Sequence, residues 1–179
     1  MLEKFHRVIR GVVSSKKVTI AAVHGSCLGG GAELAMMCDI VITTDDANWG
    51  FPEITLGCFP PVAATALGAL VGQKRATDLM LTGATVLGTE AAEIGLATCA
   101  VPANKIDAAL AETLERLQKQ SPAALAIAKK AIYAWDSIHF DKGLARAEKI
   151  YLEELMKTED AREGVKAFLE KRNPMWQGR

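Results

Sequence analysis

The segment from Val18 to Thr44 constrains the fold more than any other part of the chain. The run VTIAAV predicts a buried strand, the run GAELAMMC predicts a helix, and the run DIVITT predicts a second strand. A strand, a helix and a second strand in this order form a βαβ unit, whose two strands are parallel. We therefore predict an α/β fold built on a parallel sheet.

Three consecutive glycines, Gly29, Gly30 and Gly31, separate the first predicted strand from the helix. No Lys-Ser or Lys-Thr pair follows them, and they do not fit the GxGxxG spacing, so neither phosphate-binding motif is present. Two interpretations remain. The glycines could expose the N–H groups of a helix N-terminus to an oxyanion, or they could form a tight turn that needs small residues.

Two glutamates stand alone in apolar surroundings. Glu33 falls in the first turn of the predicted helix, and Glu53 follows Pro52 in the stretch WGFPEITLG. By itself Glu33 could be a first-turn acid that stabilises the helix dipole. Together the two carboxylates suit general acid/base chemistry on a carbonyl compound, although their spacing does not show that they meet.

Composition excludes several classes of function. The chain has 179 residues with 21 basic and 21 acidic side chains, so its formal net charge is zero and nothing indicates binding to nucleic acid or to a membrane surface. Its four cysteines form no CxxC pair and read as buried reduced thiols, so we expect no metal site. No signal peptide or spanning segment is evident, which predicts a cytoplasmic protein.

Helical patterns dominate after Gly83. Thr89 is predicted to cap a short helix, and Ser121 with Pro122 is predicted to open a longer one. His6, on an N-terminal helix, is expected at the surface or an interface. Two later helices are each predicted to carry an apolar face, formed by Leu144, Ala147, Tyr151, Leu152 and Leu155 in the first and by Val165, Phe168 and Leu169 in the second.

The segment IAAVHGSCLGGGAELAMMCDIVIT, followed by FPEITLGCFP, LMLTG and AAEIGLAT, resembles the enoyl-CoA hydratase/isomerase (crotonase) family from about Val18 to Trp176. The resemblance implies an α/β, crotonase-like β-β-α spiral with a C-terminal helical trimerisation region, in trimers that often pair into hexamers. It implies a partial spiral core over residues 1–110, carrying the glycine turn and both glutamates. Residues 111–179 would form the helical region for oligomerisation and CoA contact.

The reaction implied by the resemblance is hydration of an enoyl- or dienoyl-CoA thioester. The N–H of Gly30 would bind the thioester oxygen, while Glu33 and Glu53 would hold a water and protonate the α-carbon. Retention of both glutamates favours hydration over isomerisation. An acyl-CoA isomerase or hydrolase, and a non-catalytic member that binds CoA or a partner, remain as alternatives. CoA would enter as part of the substrate, and no other cofactor is expected.

The resemblance also assigns a CoA-contacting end to the chain. Phe168 and Lys171 fall where the family places an aromatic ring and an ammonium near the adenine and phosphate groups, often of a neighbouring subunit. The bland alternative is an ordinary helix face with a solvated lysine.

One departure from the family pattern concerns the acyl pocket. Many members follow the turn with a glycine whose N–H can hold the catalytic water, whereas this chain has Pro61, which has no N–H. We expect a stiff, apolar pocket lined by Phe51, Phe59 and the prolines, or else a rigid surface turn. The run FPPVA also resembles hydratases that act on cyclic dienoyl-CoA esters in aromatic breakdown, and an apolar slot suits a ring.

A second departure concerns the N-terminal strands. Family subunits carry strands, part of the CoA site and a second oxyanion N–H ahead of the glycine-turn strand, and these have no counterpart within the 179 residues. The resemblance therefore implies that these 179 residues by themselves hydrate acyl-CoA poorly or not at all, as an inactive truncated form would, and it leaves open whether they are a natural short product or a truncation.

Overall fold

A computed structural model describes residues 2–133 and 136–178. The chain divides into two compact units. The first unit contains residues 1–49 and 86–139, and the second contains residues 50–85 and 140–179. Each unit has its own internal contacts. The predicted roles of residues 1–110 and 111–179 stay predictions.

Short strands alternate with helices along the described chain. The strands are β1 (Ile20–Val23), β2 (Ser26–Leu28), β3 (Ile40–Thr44), β4 (Asn48–Gly50), β5 (Thr85–Leu87) and β6 (Cys99–Val101). The α-helices are α1 (Leu2–Ser14), α2 (Gly30–Met36), α3 (Pro61–Val71), α4 (Gln73–Thr82), α5 (Gly88–Glu93), α6 (Ile106–Gln118), α7 (Pro122–Tyr133), α8 (Asp136–Glu153) and α9 (Glu159–Leu169). Short 3-10 helices cover Pro52–Leu56, Ala103–Lys105 and Leu155–Lys157.

The βαβ prediction is confirmed in the first unit. Strands β1, β3 and β6 form a parallel sheet in that order, with Ile20 opposite Ile40 and Ile42 opposite Cys99. The central strand β3 is buried over four of its five residues, as expected for an apolar, β-branched run. The prediction of a buried first strand is wrong in part, because β1 is at the sheet edge and only Val23 is buried. Strands β2, β4 and β5 form a second three-stranded sheet.

His6 and Lys129 are two of the polar side chains that are buried in the first unit. His6 on α1 has no exposed surface within the single chain, so the expectation that it lies at the surface or an interface is wrong. It shares the buried face of α1 with Ile9, one turn further along. Lys129 on α7 is also buried, and its ammonium forms an ion pair with Asp39 at 2.7 Å.

The second unit is mainly helical. Phe59 makes an edge-to-face contact with Tyr151, with ring centroids 5.4 Å apart. The predicted face of α8 is confirmed at Leu144 and Ala147, which are buried, but Leu152 is half exposed. Helix α9 begins after its cap residue Thr158, whose hydroxyl accepts a hydrogen bond from the Ala161 N–H at 3.0 Å.

The apolar side chains of α9 do not form its buried face. Val165, Phe168 and Leu169 are all exposed, and the helix packs instead through the small residues Ala161 and Gly164, with Ala167 one turn further along. The pattern identified an apolar side correctly, but a neighbouring backbone approaches the opposite, small-residue side.

The cap predictions have different outcomes. Ser121 caps α7 as predicted, with its hydroxyl 3.4 Å from the Ala124 N–H. Thr89 does not cap α5, because the helix already begins at Gly88 and the Thr89 N–H donates to the carbonyl of Asp45. In the described ranges, no helix combines the length and apolar character needed to cross a bilayer. The cytoplasmic location stays a prediction.

Candidate active site

The glycine turn leads directly into α2. Gly29 has φ 54° and ψ −127°, a backbone conformation that only glycine adopts readily. The Glu33 N–H donates to the Gly29 carbonyl at 2.9 Å and closes the first turn. Since the first N–H groups of a helix have no intrahelical acceptor, those of Gly30 and Gly31 remain available as donors.

Packing does not require a glycine at position 30 or at position 31. A Cβ on Gly30 would make an ordinary contact with the Phe5 ring at 3.5 Å, and a Cβ on Gly31 would have no described heavy atom within 4 Å. Both residues are exposed. Gly31 also lines an open depression of about 400 Å³ between β1 and α2. Glycine at both positions leaves room for a ligand to approach the N-terminus of α2.

Glu33 lies in the first turn of the same helix and is only 4% exposed. Its neighbours Ala32, Ala35 and Met36 are buried as well. This position places the carboxyl group beside the partial positive charge of the helix N-terminus. Backbone donors and a buried acid therefore lie in the same helix turn, and their use in catalysis stays a prediction.

Glu53 is carried by a rigid turn in the second unit. The 3-10 helix Pro52–Leu56 has proline at its first position and ends at Gly57, whose φ of 67° is left-handed. The Gly57 N–H donates to the Ile54 carbonyl at 3.0 Å, and the Cys58 N–H donates to the Glu53 carbonyl at 3.0 Å. We call residues 52–57 the Glu53 turn.

The carboxyl group of Glu53 is poorly satisfied. Its Oε2 atom is buried and has no hydrogen-bond partner among the described residues. Burial raises the pKa of this carboxyl, and a hydrogen bond from its own backbone N–H opposes the rise only in part. An acid with a raised pKa can hold and release a proton closer to neutral pH, as general acid catalysis requires.

An apolar cavity of about 550 Å³ lies beside this turn in the second unit. Phe59 lines this cavity, and its contact with substrate stays a prediction. Phe51 and Pro61 are buried and are not among its lining residues, so their contact with substrate stays a prediction. Sequence reasoning missed Trp176, which lines the cavity from the C-terminal segment and gives no periodic signal there.

The predicted CoA-contacting residues are at the end of α9. Phe168 is 63% exposed, and Lys171 follows the helix with a left-handed φ of 53°. Both side chains are exposed and therefore accessible to a ligand. Over the described ranges, no cluster of three or more His, Cys, Asp or Glu side chains could hold a metal ion.

The eight predicted site residues are distributed over both units. Gly30 and Glu33 belong to the first unit. The other six belong to the second unit and are Phe51, Glu53, Phe59, Pro61, Phe168 and Lys171. Each group contains one of the two carboxylates, and their joint action is part of the proposal below.

Comparisons with known proteins agree with this combination of fold and residues. The whole chain, residues 1–179, matches the family model described as enoyl-CoA hydratase/isomerase. It is 37% identical to a cyclohexa-1,5-dienecarbonyl-CoA hydratase from Thauera aromatica, covering 100% of this chain and 69% of that protein. It is 36% identical to a 2,3-dehydroadipyl-CoA hydratase from Escherichia coli K12, covering 91% of this chain and 64% of that protein.

A solved structure supports the same assignment. The crystal structure of an enoyl-CoA hydratase from Mycobacterium avium subsp. paratuberculosis K-10 superposes with a TM-score of 0.89 at 28% identity, covering 98% of this chain and 71% of that one. The fold is therefore the mixed α/β crotonase fold, as predicted. The chain belongs to the enoyl-CoA hydratase/isomerase family and is an enoyl-CoA hydratase-like enzyme by its relatives. It spans about two thirds of the length of the curated relatives described above.

Proposed function

We propose that this chain carries the acid/base residues for adding water to an α,β-unsaturated acyl-CoA thioester. The observation that carries the proposal is the buried Oε2 of Glu53, which has no hydrogen-bond partner in the described chain and belongs to a carboxyl with a raised pKa. Leaving a buried polar atom unsatisfied costs about 1–3 kcal/mol, so such an atom suggests use by a ligand.

The two carboxyl groups have environments that suit different roles. Glu33, in the first turn of α2, would act as the base that removes a proton from water as its oxygen bonds to the β-carbon. Glu53, with its raised pKa, would be the acid that protonates the α-carbon. The N–H of Gly30 would donate to the thioester oxygen while negative charge develops there. The added water is then divided between the two carbons, and each glutamate returns to its state through proton exchange.

The acyl group is proposed to be compact and apolar, with a cyclic dienoyl group as the first candidate. The sequence Phe59-Pro60-Pro61 replaces a flexible glycine turn, and Pro61 occupies the first position of α3 with no N–H to offer. The relative from Thauera aromatica is named for a cyclohexadiene thioester, which supports a role in aromatic degradation.

The remaining substrate contacts are proposed at the end of α9. Phe168 and Lys171 are exposed and would meet the adenine and phosphate groups of CoA. The exposed Val165 and Leu169 on the same helix would be covered in a homotrimer or hexamer. These proposals concern the assembled protein.

The test is an ultraviolet assay that follows loss of the conjugated thioester absorbance. Crotonyl-CoA and cyclohexa-1,5-diene-1-carbonyl-CoA are each incubated with the chain alone and with an N-terminally extended version, and products are identified by mass spectrometry. We expect a product heavier by one water, formed faster by the extended version. A product of unchanged mass would indicate an isomerase, and free CoA would indicate a hydrolase. CoA binding without turnover in either version would support a non-catalytic member.

A further inference from the structure

The C-terminal segment 172–178 is held against α9 by hydrogen bonds to two carboxylates of that helix. Glu163 accepts hydrogen bonds from both terminal nitrogens of Arg172, with 2.9 Å between Nη2 and Oε2, and from the Met175 N–H at 2.9 Å. The Arg172 guanidinium and the Met175 N–H lower the pKa of Glu163 to about 2. This attachment is therefore ionised throughout the neutral and mildly acidic range.

The second attachment is nearer the end of the segment. Asp160 accepts hydrogen bonds from the Gln177 N–H at 2.6 Å and from the Gly178 N–H at 2.8 Å. Backbone groups on both sides of Trp176 are thus fixed by α9 side chains, which restricts where its indole ring can lie.

The Trp176 ring packs against Gly57 and Gly164. A Cβ on Gly57 would lie 3.3 Å from Cζ3 of the indole, and a Cβ on Gly164 would lie 3.0 Å from Cη2. Both distances are tighter than usual Cβ contacts, so the ring fills the space that these glycines leave.

The same glycines let the Glu53 turn approach α9 closely. A Cβ on Gly164 would overlap the carbonyl of Leu56, and a Cβ on Gly57 would lie 2.9 Å from the carbonyl oxygen of Asp160. Gly57 is also the residue whose N–H closes the turn onto Ile54. The helix, the turn and the indole therefore form one packed cluster in the second unit.

We propose that Trp176 is a positioning residue for Glu53, and that the segment 172–178 fixes the Glu53 turn through the indole contacts with Gly57 and Gly164. The inference rests on the proposed function for its catalytic consequence. An acid must be held within a fraction of an ångström of its working geometry, and such precision comes from locked neighbours. Pro52 restrains the start of the Glu53 turn, and the indole restrains its end at Gly57.

Trp176 has a second candidate role, in binding the acyl group, which the test must distinguish from positioning of Glu53. Because the ring also lines the 550 Å³ cavity, its removal could weaken acyl binding alone. Loss of a wall contact raises KM, whereas misplacement of the acid lowers kcat.

The experiment compares Trp176→Ala with Trp176→Phe and with the control Gln177→Ala, whose side chain is exposed and whose bonded N–H is retained. Hydrogen exchange of the Gly57 and Cys58 amides is measured by NMR, and the Glu53 carboxyl is titrated with carbon-13 labelling. Neither readout needs turnover. The amide of Thr43 in β3 reports whether the first unit stays folded.

We expect Trp176→Ala to speed exchange at Gly57 and Cys58 at least tenfold and to lower the Glu53 pKa towards its ordinary value. Trp176→Phe should restore most of the protection, and Gln177→Ala should change neither readout. In a hydrating form of the protein, Trp176→Ala should lower kcat at least tenfold with KM changed less than threefold.

Unchanged exchange and an unchanged Glu53 titration in Trp176→Ala would overturn the proposal, as would a change in KM alone. If Trp176→Ala loses protection at Thr43, amide exchange and the Glu53 titration are compared between Trp176→Phe and Gln177→Ala. Values in Trp176→Phe that match those of Gln177→Ala would then overturn the proposal. If no form hydrates any thioester while the NMR results hold, the proposed function fails and the anchoring of the turn stands.

Discussion

Lys129 on α7 and Asp39, directly before β3, form a buried ion pair with 2.7 Å between Nζ and Oδ2. The ammonium also donates to the carbonyl oxygens of Val12 and Lys17, each at 3.1 Å. The carboxylate accepts from both the N–H and the hydroxyl of Thr19, at 2.7 and 2.8 Å. This network joins the end of α1 and the segment before β1 to α7, so it holds the first unit together.

Removal of one partner should be much more harmful than removal of both. Asp39→Asn leaves the buried ammonium without its counter-charge and should lower the free energy of unfolding by about 3–5 kcal/mol. The double variant Asp39→Asn/Lys129→Met should recover most of that loss, because no buried charge remains. Urea unfolding checks both, and equal losses in the single and double variants would contradict the account.

The same pair predicts a pH dependence of stability. Burial raises the pKa of Asp39, but hydrogen bonds from Lys129 and from Thr19 outweigh it, so the net pKa is lowered. The unfolded state therefore binds the proton more tightly, and the stabilisation present above the unfolded pKa of about 3.9 is lost as pH falls through the folded value. The difference between wild type and Asp39→Asn, followed by unfolding at several pH values, should shrink below about pH 4. A constant difference would contradict this.

Glu53 should show the opposite behaviour, because burial raises its pKa in the folded state. Between the unfolded value of about 4.3 and the folded value, the folded protein holds the proton longer, so stability falls as pH rises. Glu53→Gln cannot ionise and should be more stable than wild type at pH 7, with no gain below about pH 4. The exposed control Glu112→Gln should have no effect at either pH, as measured by thermal unfolding. A loss of stability in Glu53→Gln at neutral pH would show that the carboxylate is satisfied.

The Gly30 N–H can be tested by a pair of substitutions. Proline is tolerated at the first position of a helix, so Gly30→Pro should fold while it removes the donor. Gly30→Ala keeps the N–H and adds a Cβ in ordinary contact with Phe5 at 3.5 Å. In a hydrating form of the protein, the proline variant should have a kcat lower than that of the alanine variant by about 10²–10³-fold. Equal rates in the two folded variants would return the glycines to a simple turn.

The Lys171 ammonium should affect binding more than chemistry. If it meets a CoA phosphate, Lys171→Gln should raise KM by about tenfold, equivalent to about 1.4 kcal/mol, with little change in kcat. The effect should shrink at high salt because the contact is exposed. Lys166→Gln, which removes another exposed ammonium from α9, is the control. The same KM change in both variants would mean a general charge effect rather than a contact at Lys171.

Features that depend on residues close together in sequence could be predicted from local sequence patterns. The βαβ unit follows from an apolar run on either side of a glycine turn, and the Ser121 cap follows from a hydroxyl ahead of Pro122. Thr89 failed as a cap because Gly88 already begins the helix, which sequence reasoning had not foreseen.

Contacts between residues far apart in the sequence could not be predicted from local patterns. Lys129 stands beside Lys130 on a helix and looks like a solvated side chain, yet its partner Asp39 is 90 residues away. His6 similarly occupies the buried face of α1 despite its polar ring. The contact of Trp176 with Gly57 depends on how the C-terminal segment folds back, which no periodicity encodes.

The most direct test of the two-glutamate account is the hydration rate of Glu33→Gln and Glu53→Gln, measured beside Glu112→Gln in the form of the protein that turns over. Glutamine keeps the shape of each side chain and removes its proton-transfer group, so each active-site variant should lose about 10²–10⁴-fold in kcat while the control keeps the wild-type rate. Near-wild-type hydration by either active-site variant would contradict the account, and a loss confined to Glu53→Gln would move isomerase chemistry ahead of hydration.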